Sequence, residues 1–237
     1  MKAPAEEGVA TPVVTTVPEK KVLIAPVEVV DVKTKKKRFF AKLRPLVQAE
    51  NKRIAALRTN LLELSRKTDA FSPDEMDLIY PLAAKYRVPL ADRPDSEFWE
   101  LLLKRLDVVP LELALAQAAN ESAWGRSRFA RNGHNYFGQW CYKKGCGIVP
   151  LRRNAGSSHE VKMFSSTAES VRAYIYNLNT TSAYKHLRSL RQHMRRSGDK
   201  LDASLLAGGL STYSERGAEY VKSIRTLIRR NQSLMRQ

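Results

Sequence analysis

Pro110 introduces Leu111-Glu112-Leu113-Ala114-Leu115-Ala116-Gln117-Ala118-Ala119-Asn120-Glu121, and this stretch decides the architecture. Alanine and leucine are strong helix formers, and proline suits the entrance of a helix. The segment is apolar nearly all round, which predicts a helix buried on every side. Its small alanine side chains let neighbouring helices approach closely. Glu121 ends the helix, and Gly125 with the loop-rich residues behind it marks the exit.

Upstream, Asp95 is placed to cap a helix containing Phe98, Trp99, Leu101, Leu102 and Leu106. Ser72-Pro73-Asp74-Glu75 is a helix start in which Ser72 caps, Pro73 takes the first helical position and Glu75 completes a capping box. From Phe39 to about Arg66, Leu43, Val47, Ile54, Leu57, Leu61 and Leu64 recur near helical spacing, with Pro45 expected to kink or start the helix. Residues 1–38 read as a disordered tail. Prolines 4, 12, 18 and 26 interrupt its Val/Thr stretches, and Lys35-Lys36-Lys37-Arg38 reads as a solvated basic linker. The chain thus divides into this tail, an N-terminal helical segment at 39–94 packed on the core, and a principal domain at 95–237.

Downstream, residues 132–164 carry glycines and aromatics with little helical periodicity. Ile148-Val149-Pro150-Leu151 and Glu160-Val161-Lys162-Met163-Phe164 flank Asn154-Ala155-Gly156-Ser157-Ser158 as arms of an irregular hairpin, the first kept at an edge by Pro150. Helices resume after Ser166, which pairs with Glu169 as a second capping box. A following helix turns Leu187, Leu190 and Met194 inward and leaves Lys185, Arg188, Arg191 and Arg195 mostly outside. The last helix buries Val221, Ile224, Leu227 and Ile228. The expected fold is mainly α, with a small irregular β-hairpin lobe beside a helical core.

Glu121 is the candidate catalytic acid. Burial, the partial negative charge of a helix C-terminus and the nearby indole of Trp124 all disfavour its ionised form. A carboxyl with a raised pKa can protonate a glycosidic oxygen near neutral pH. Glu160 is the one acidic residue between Glu121 and Glu169, in an interval rich in arginine and lysine. It reads either as a second carboxylate facing the groove or as a strand residue paired with a neighbouring cation. Tyr136, Phe137, Trp140 and Tyr142 supply aromatic faces on which sugars stack, with Phe137 expected buried and Trp140 partly exposed. Asn135 serves either an acetamido group or the turn into Tyr136. Cys141 and Cys146 enclose four residues and would pair in an oxidising compartment, or stay reduced in a cytosol.

Glu121-Ser122-Ala123-Trp124-Gly125-Arg126-Ser127, followed by Asn135-Tyr136-Phe137-Gly138, resembles the signature of family 73 glycoside hydrolases. These are the bacterial glucosaminidases of the lysozyme-like superfamily. Gly138-Gln139-Trp140-Cys141 and the serine-rich hairpin resemble the Bax-like proteins in particular. The likeness runs from about Phe98 to Ile228. It implies a lysozyme-like α+β fold that cleaves β-1,4 bonds after N-acetylglucosamine in peptidoglycan glycan strands. Glu121 is then the general acid, Glu160 the hairpin carboxylate, and Trp124, Asn135, Tyr136, Trp140 and Tyr142 contact substrate. Tyr213-Ser214-Glu215-Arg216-Gly217-Ala218-Glu219-Tyr220 resembles the family's Tyr-Ala-Thr-Asp-x-x-Tyr segment, with a different middle and one extra residue. It makes Tyr213 the candidate active-site tyrosine and leaves Tyr220 to packing.

A net charge of +17 attracts polyanions in general: nucleic acid, anionic membrane or anionic wall. The basic residues are spread over many segments without a nucleic-acid motif, so no nucleic-acid partner is expected. No apolar run reaches the ~18–20 residues that cross a bilayer. Two cysteines and four scattered histidines give no zinc spacing, and no metal or cofactor is expected. A monomer is expected. The opening residues lack a signal peptide's apolar core, so a periplasmic or cell-envelope location is expected from the implied substrate alone. Two other readings stay open: an inactive cell-wall-binding module and a basic nucleic-acid-binding protein.

Overall fold

A computed structural model describes residues 31–90, 92–151, 156 and 158–237. Helix α1 spans Val32–Leu64, α2 Pro73–Lys85, α3 Ser96–Arg105, α4 Leu111–Glu121 and α5 Arg128–Gly133. Short strands β1 (Trp140–Cys141), β2 (Gly147–Ile148) and β3 (Glu160–Lys162) follow. The chain closes with α6 (Thr167–Thr180), α7 (Lys185–Arg196), α8 (Ala203–Ala207) and α9 (Ala218–Arg236). The fold is mainly α with a small β lobe, as the periodicity indicated.

α4 is the hub. Leu113 to Ala119 are buried without interruption, Gln117 included, and the helix packs against α1, α8 and α9. Alanine at four of those seven positions removes the bulk that would hold these neighbours apart.

α1 begins earlier than the Phe39 start expected. Asp31 caps it by accepting from the backbone N–H groups of Lys33 and Thr34 at 2.8 and 3.1 Å. Lys35–Arg38 therefore form the first turns of a helix, not a loose linker, and they carry Phe39 and Phe40 into the core. Pro45 lies on the exposed side of α1, and the helix runs on through it. The earlier part of the tail lies outside the described residues.

The caps at Ser72 and Asp95 form as the sequence indicated, with both halves of the Ser72–Glu75 box made. The second box is altered. Ser166 Oγ accepts from Glu169 N at 3.2 Å, but the Glu169 carboxylate reaches back to Ser165 N at 2.8 Å. A larger departure concerns α7, where Arg188 and Arg191 are buried, not turned outward. Both guanidinium groups donate to backbone carbonyls, and Arg191 also meets Asp107. The long arginine stem suits a buried face when its fork can be satisfied.

The β lobe is a three-stranded antiparallel sheet in the order β1-β3-β2. β1 was not foreseen as a strand. Trp140 pairs with Val161 and Cys141 with Glu160, while Gly147 opposes Lys162. A side chain at Gly147 would place its Cβ 2.1 Å from the Val161 carbonyl oxygen, so this crossing needs glycine. Much of the hairpin tip, 152–155 and 157, lies outside the described residues.

Candidate active site

The chain reverses sharply behind Glu121, the last residue of α4. Ala123, Trp124 and Gly125 take φ values of +50°, +60° and +75° in succession. Left-handed backbone costs a residue with a side chain roughly 1–2 kcal/mol, so something must hold this turn. Ser122 does so from a fully buried position. Its hydroxyl donates to the Ala118 carbonyl at 2.6 Å and accepts from Gly125 N at 2.8 Å. Ser127 then caps α5 by accepting from Ala130 N at 3.1 Å. The Trp124 ring meets Phe39 and Phe40 edge-on, each centroid 5.5 Å away, and Lys36 lies over it at 5.1 Å. The spaced residues of Glu-Ser-x-Trp-Gly-x-Ser thus end one helix, anchor α1 and start the next, with the acid at the corner.

Burial raises the Glu121 pKa above its ordinary value of 4.5, and the opposing pulls of Tyr220, Asn120 and Arg216 do not cancel it. Asn120 Nδ2 donates to Glu121 Oε1 at 3.2 Å. Gly138, at φ +65°, faces the other oxygen: a Cβ there would stand 3.4 Å from Glu121 Oε2. Glycine meets both demands, the left-handed turn and an uncovered carboxyl.

Behind the carboxyl runs a buried polar chain that sequence reasoning missed. The Tyr174 hydroxyl donates to Gln117 Oε1 at 2.6 Å, and Gln117 Nε2 donates to the Tyr220 oxygen at 3.0 Å. Because that oxygen already accepts from Gln117, the Tyr220 proton is left free to turn toward Glu121, whose ionised form the hydroxyl favours. Tyr220, assigned by its helical pattern to packing, is therefore the tyrosine that engages the acid. The signal was Gln117, the lone amide within a buried run of alanine and leucine, one turn before Glu121 on the same face.

Tyr213 stacks on Tyr220 with centroids 5.4 Å apart, and its hydroxyl donates to the Phe137 carbonyl at 2.8 Å. Asn135 is almost wholly buried. Its amide donates to the carbonyls of Gln139 and Lys162, both at 2.8 Å, while its oxygen accepts from Phe137 N and Gln139 N. Both residues hold the turn that carries Gly138 past the carboxyl. Phe137 is buried against Tyr174, ring on ring at 3.9 Å. Tyr136 turns toward α1, where Lys42 Nζ donates to its hydroxyl at 2.6 Å.

Trp140 and Tyr142 stand 56% and 71% exposed, the surface-facing pair among the candidate aromatic contacts. Trp140 stacks on His159 at 4.3 Å. Cys141 and Cys146 are joined by a disulfide. Glu160, opposite Cys141, is buried, and its two oxygens accept from Gly145 N at 3.0 Å and Gly147 N at 2.8 Å. Those amides flank Cys146, so carboxylate and disulfide brace one loop from two directions. Cys141, Cys146 and Glu160 are also the single grouping of potential metal ligands among the described residues. Their sulfurs are bonded to each other and present no thiolate.

Comparison with known proteins gives the family. The glucosaminidase family, described as mannosyl-glycoprotein endo-beta-N-acetylglucosaminidase, matches residues 96–233. Protein bax of Escherichia coli (strain K12) is 33% identical over 201 residues, covering 85% of this chain and 71% of that relative. No solved structure matches.

Proposed function

The chain belongs to the glucosaminidase family, and from that premise we propose that it cleaves β-1,4 bonds after N-acetylglucosamine in peptidoglycan, with Glu121 as general acid. The observation that carries this reading is a carboxyl at the end of a buried helix, faced by glycine and with its pKa raised by burial. A raised pKa keeps more of the carboxyl in the protonated form that can donate to the leaving glycosidic oxygen. Tyr220 is a positioning residue: its hydroxyl, oriented by Gln117, favours the ionised carboxylate that is left once the proton has been given up.

Trp140 and Tyr142 form a stacking face for sugar rings on the braced loop. Asn135 and Tyr213 keep the Gly138 turn in place, and Trp124 and Tyr136 tie it to α1. Glu160, with both oxygens occupied by loop amides, is assigned to bracing. The acetamido group of the substrate then assists at the anomeric carbon, a known alternative to a second carboxylate. Such a substrate places the working protein outside the cytoplasm. No helix among the described residues is long and apolar enough to cross a membrane.

The test is digestion of purified peptidoglycan followed by mass spectrometry of the new reducing ends. The expected result is new N-acetylglucosamine ends, lost with Glu121→Gln. N-acetylmuramic acid ends would make the protein a muramidase, and anhydro ends a lytic transglycosylase. Binding without cleavage would leave it a wall-binding module.

A further inference from the structure

The end of α6 and the start of α7 face the end of α3 and the turn after α2 across a cavity of about 320 Å³. Five cations line it: Arg87, Lys104, Arg105, Lys185 and Arg188. No carboxylate does, and among the described residues none of the five takes part in an ion pair. The other polar groups on the wall are the hydroxyls of Thr180 and Ser182.

One of these cations is held out of water and a second is half-buried. Arg188 is 3% exposed, fixed by Nη1 to the carbonyls of Leu178 and Thr181 at 2.8 Å each. Arg105 donates through Nη1 to the carbonyls of Tyr86 and Arg87, and its Nε is buried with no hydrogen-bond partner. Burial, then repulsion from Arg105, depresses the Arg188 pKa to about 10. Like charges confined together with no counter-ion are a costly arrangement that a bound anion would relieve.

We propose that this cavity is a binding site for a phosphate group, either free or carried on a polymer or lipid headgroup. Phosphate suits it better than a single carboxylate. It brings a charge of about −1.5 to −2 near neutral pH and several acceptor oxygens, enough to answer cations on opposing walls and the Ser182 hydroxyl. The site shares no lining residue with the Glu121 environment, so it would anchor or regulate the protein and not turn over substrate. It stands independently of the glycosidase reading.

The test is calorimetric titration of the full chain with inorganic phosphate, at ionic strength held constant with chloride. The double variant Arg87→Gln/Lys185→Gln changes two exposed side chains and should leave the fold intact. Arg229→Gln/Arg230→Gln removes the same charge from the far face of α9. The expected result is a one-to-one isotherm that weakens about tenfold or more in the first variant and little in the second, the scale of losing a charge-assisted hydrogen bond. An absent isotherm, or equal weakening in both variants, would overturn the proposal. Co-sedimentation with phosphatidylglycerol vesicles, against phosphatidylcholine vesicles, separates the sources. Selective loss of vesicle binding in the first variant assigns a headgroup, and equal vesicle binding with a weakened phosphate isotherm assigns the free ion.

Discussion

Asp107 and Glu121 lie at opposite ends of the segment built around α4, both withdrawn from water, and their surroundings push them in opposite directions. Asp107 meets Arg195 through two hydrogen bonds at 2.9 and 3.1 Å, with Arg191 and Arg58 each 3.7 Å away. Burial alone would raise its pKa, but Arg191, then Arg195 and Arg58, hold it below 3.8. Among the described residues no guanidinium pairs with Glu121, the lowering pulls of Tyr220, Asn120 and Arg216 are weaker, and burial prevails. Withdrawal from water therefore does not decide the ionisation of a carboxylate; the charge of its partners does. The first arrangement makes an anion that staples helices, and the second suits the proton donor proposed above.

Substitutions at each end should separate chemistry from stability. The largest effect is expected from Glu121→Gln, which should lower kcat about 10²- to 10⁴-fold, the usual share of general acid catalysis, with little change in peptidoglycan binding. Asp107→Asn should do the reverse. It leaves three arginines without their anion and should cost roughly 3–5 kcal/mol of unfolding free energy, measured by urea titration, while the folded fraction keeps its kcat. Because the native Asp107 pKa is depressed, its stabilisation is present above the unfolded value of 3.8 and is lost as pH falls through the native one. The gap between wild type and variant should therefore close in acid.

Smaller effects sharpen the contrast. Glu160→Gln turns an amide N–H₂ toward a loop N–H that now has an acceptor. It should lower stability by about 1–3 kcal/mol and raise KM more than it lowers kcat. A kcat loss as deep as that of Glu121→Gln would instead make Glu160 the second carboxylate. Tyr220→Phe removes a donor that favours ionised Glu121, so the Glu121 pKa should rise further. Activity needs the protonated acid, so the alkaline limb of the kcat–pH profile should move to higher pH, with the largest relative gain on that limb.

The helical scaffold was legible because its signals are local: the Ser72 and Asp95 caps, the alanine-rich α4 and the apolar stripes. The place of Glu121 at the end of α4 was legible through the motif around it. What stayed hidden depends on partners distant in sequence. Arg188 and Arg191 look like solvent-facing residues until carbonyls from other elements satisfy them. The basic run before Phe39 reads as linker because Asp31 gives a single capping signal and Trp124, which receives Lys36, lies far along the chain. Tyr220 hid in a helical stripe whose spacing explains the ring and says nothing about the hydroxyl. Glu160 read as a groove-facing carboxylate or a cation-paired strand residue, and its bonds to loop amides stayed hidden because β1 and its pairing with β3 were not foreseen.

The most direct test of the contrast between the two carboxylates is a carbon-13 NMR titration of the side-chain carboxyls of Asp107 and Glu121 in the intact protein, assigned with the Asp107→Asn and Glu121→Gln variants. The account predicts that Glu121 titrates above 4.5 and Asp107 below 3.8. Titration of Glu121 at or below the ordinary glutamate value would contradict it.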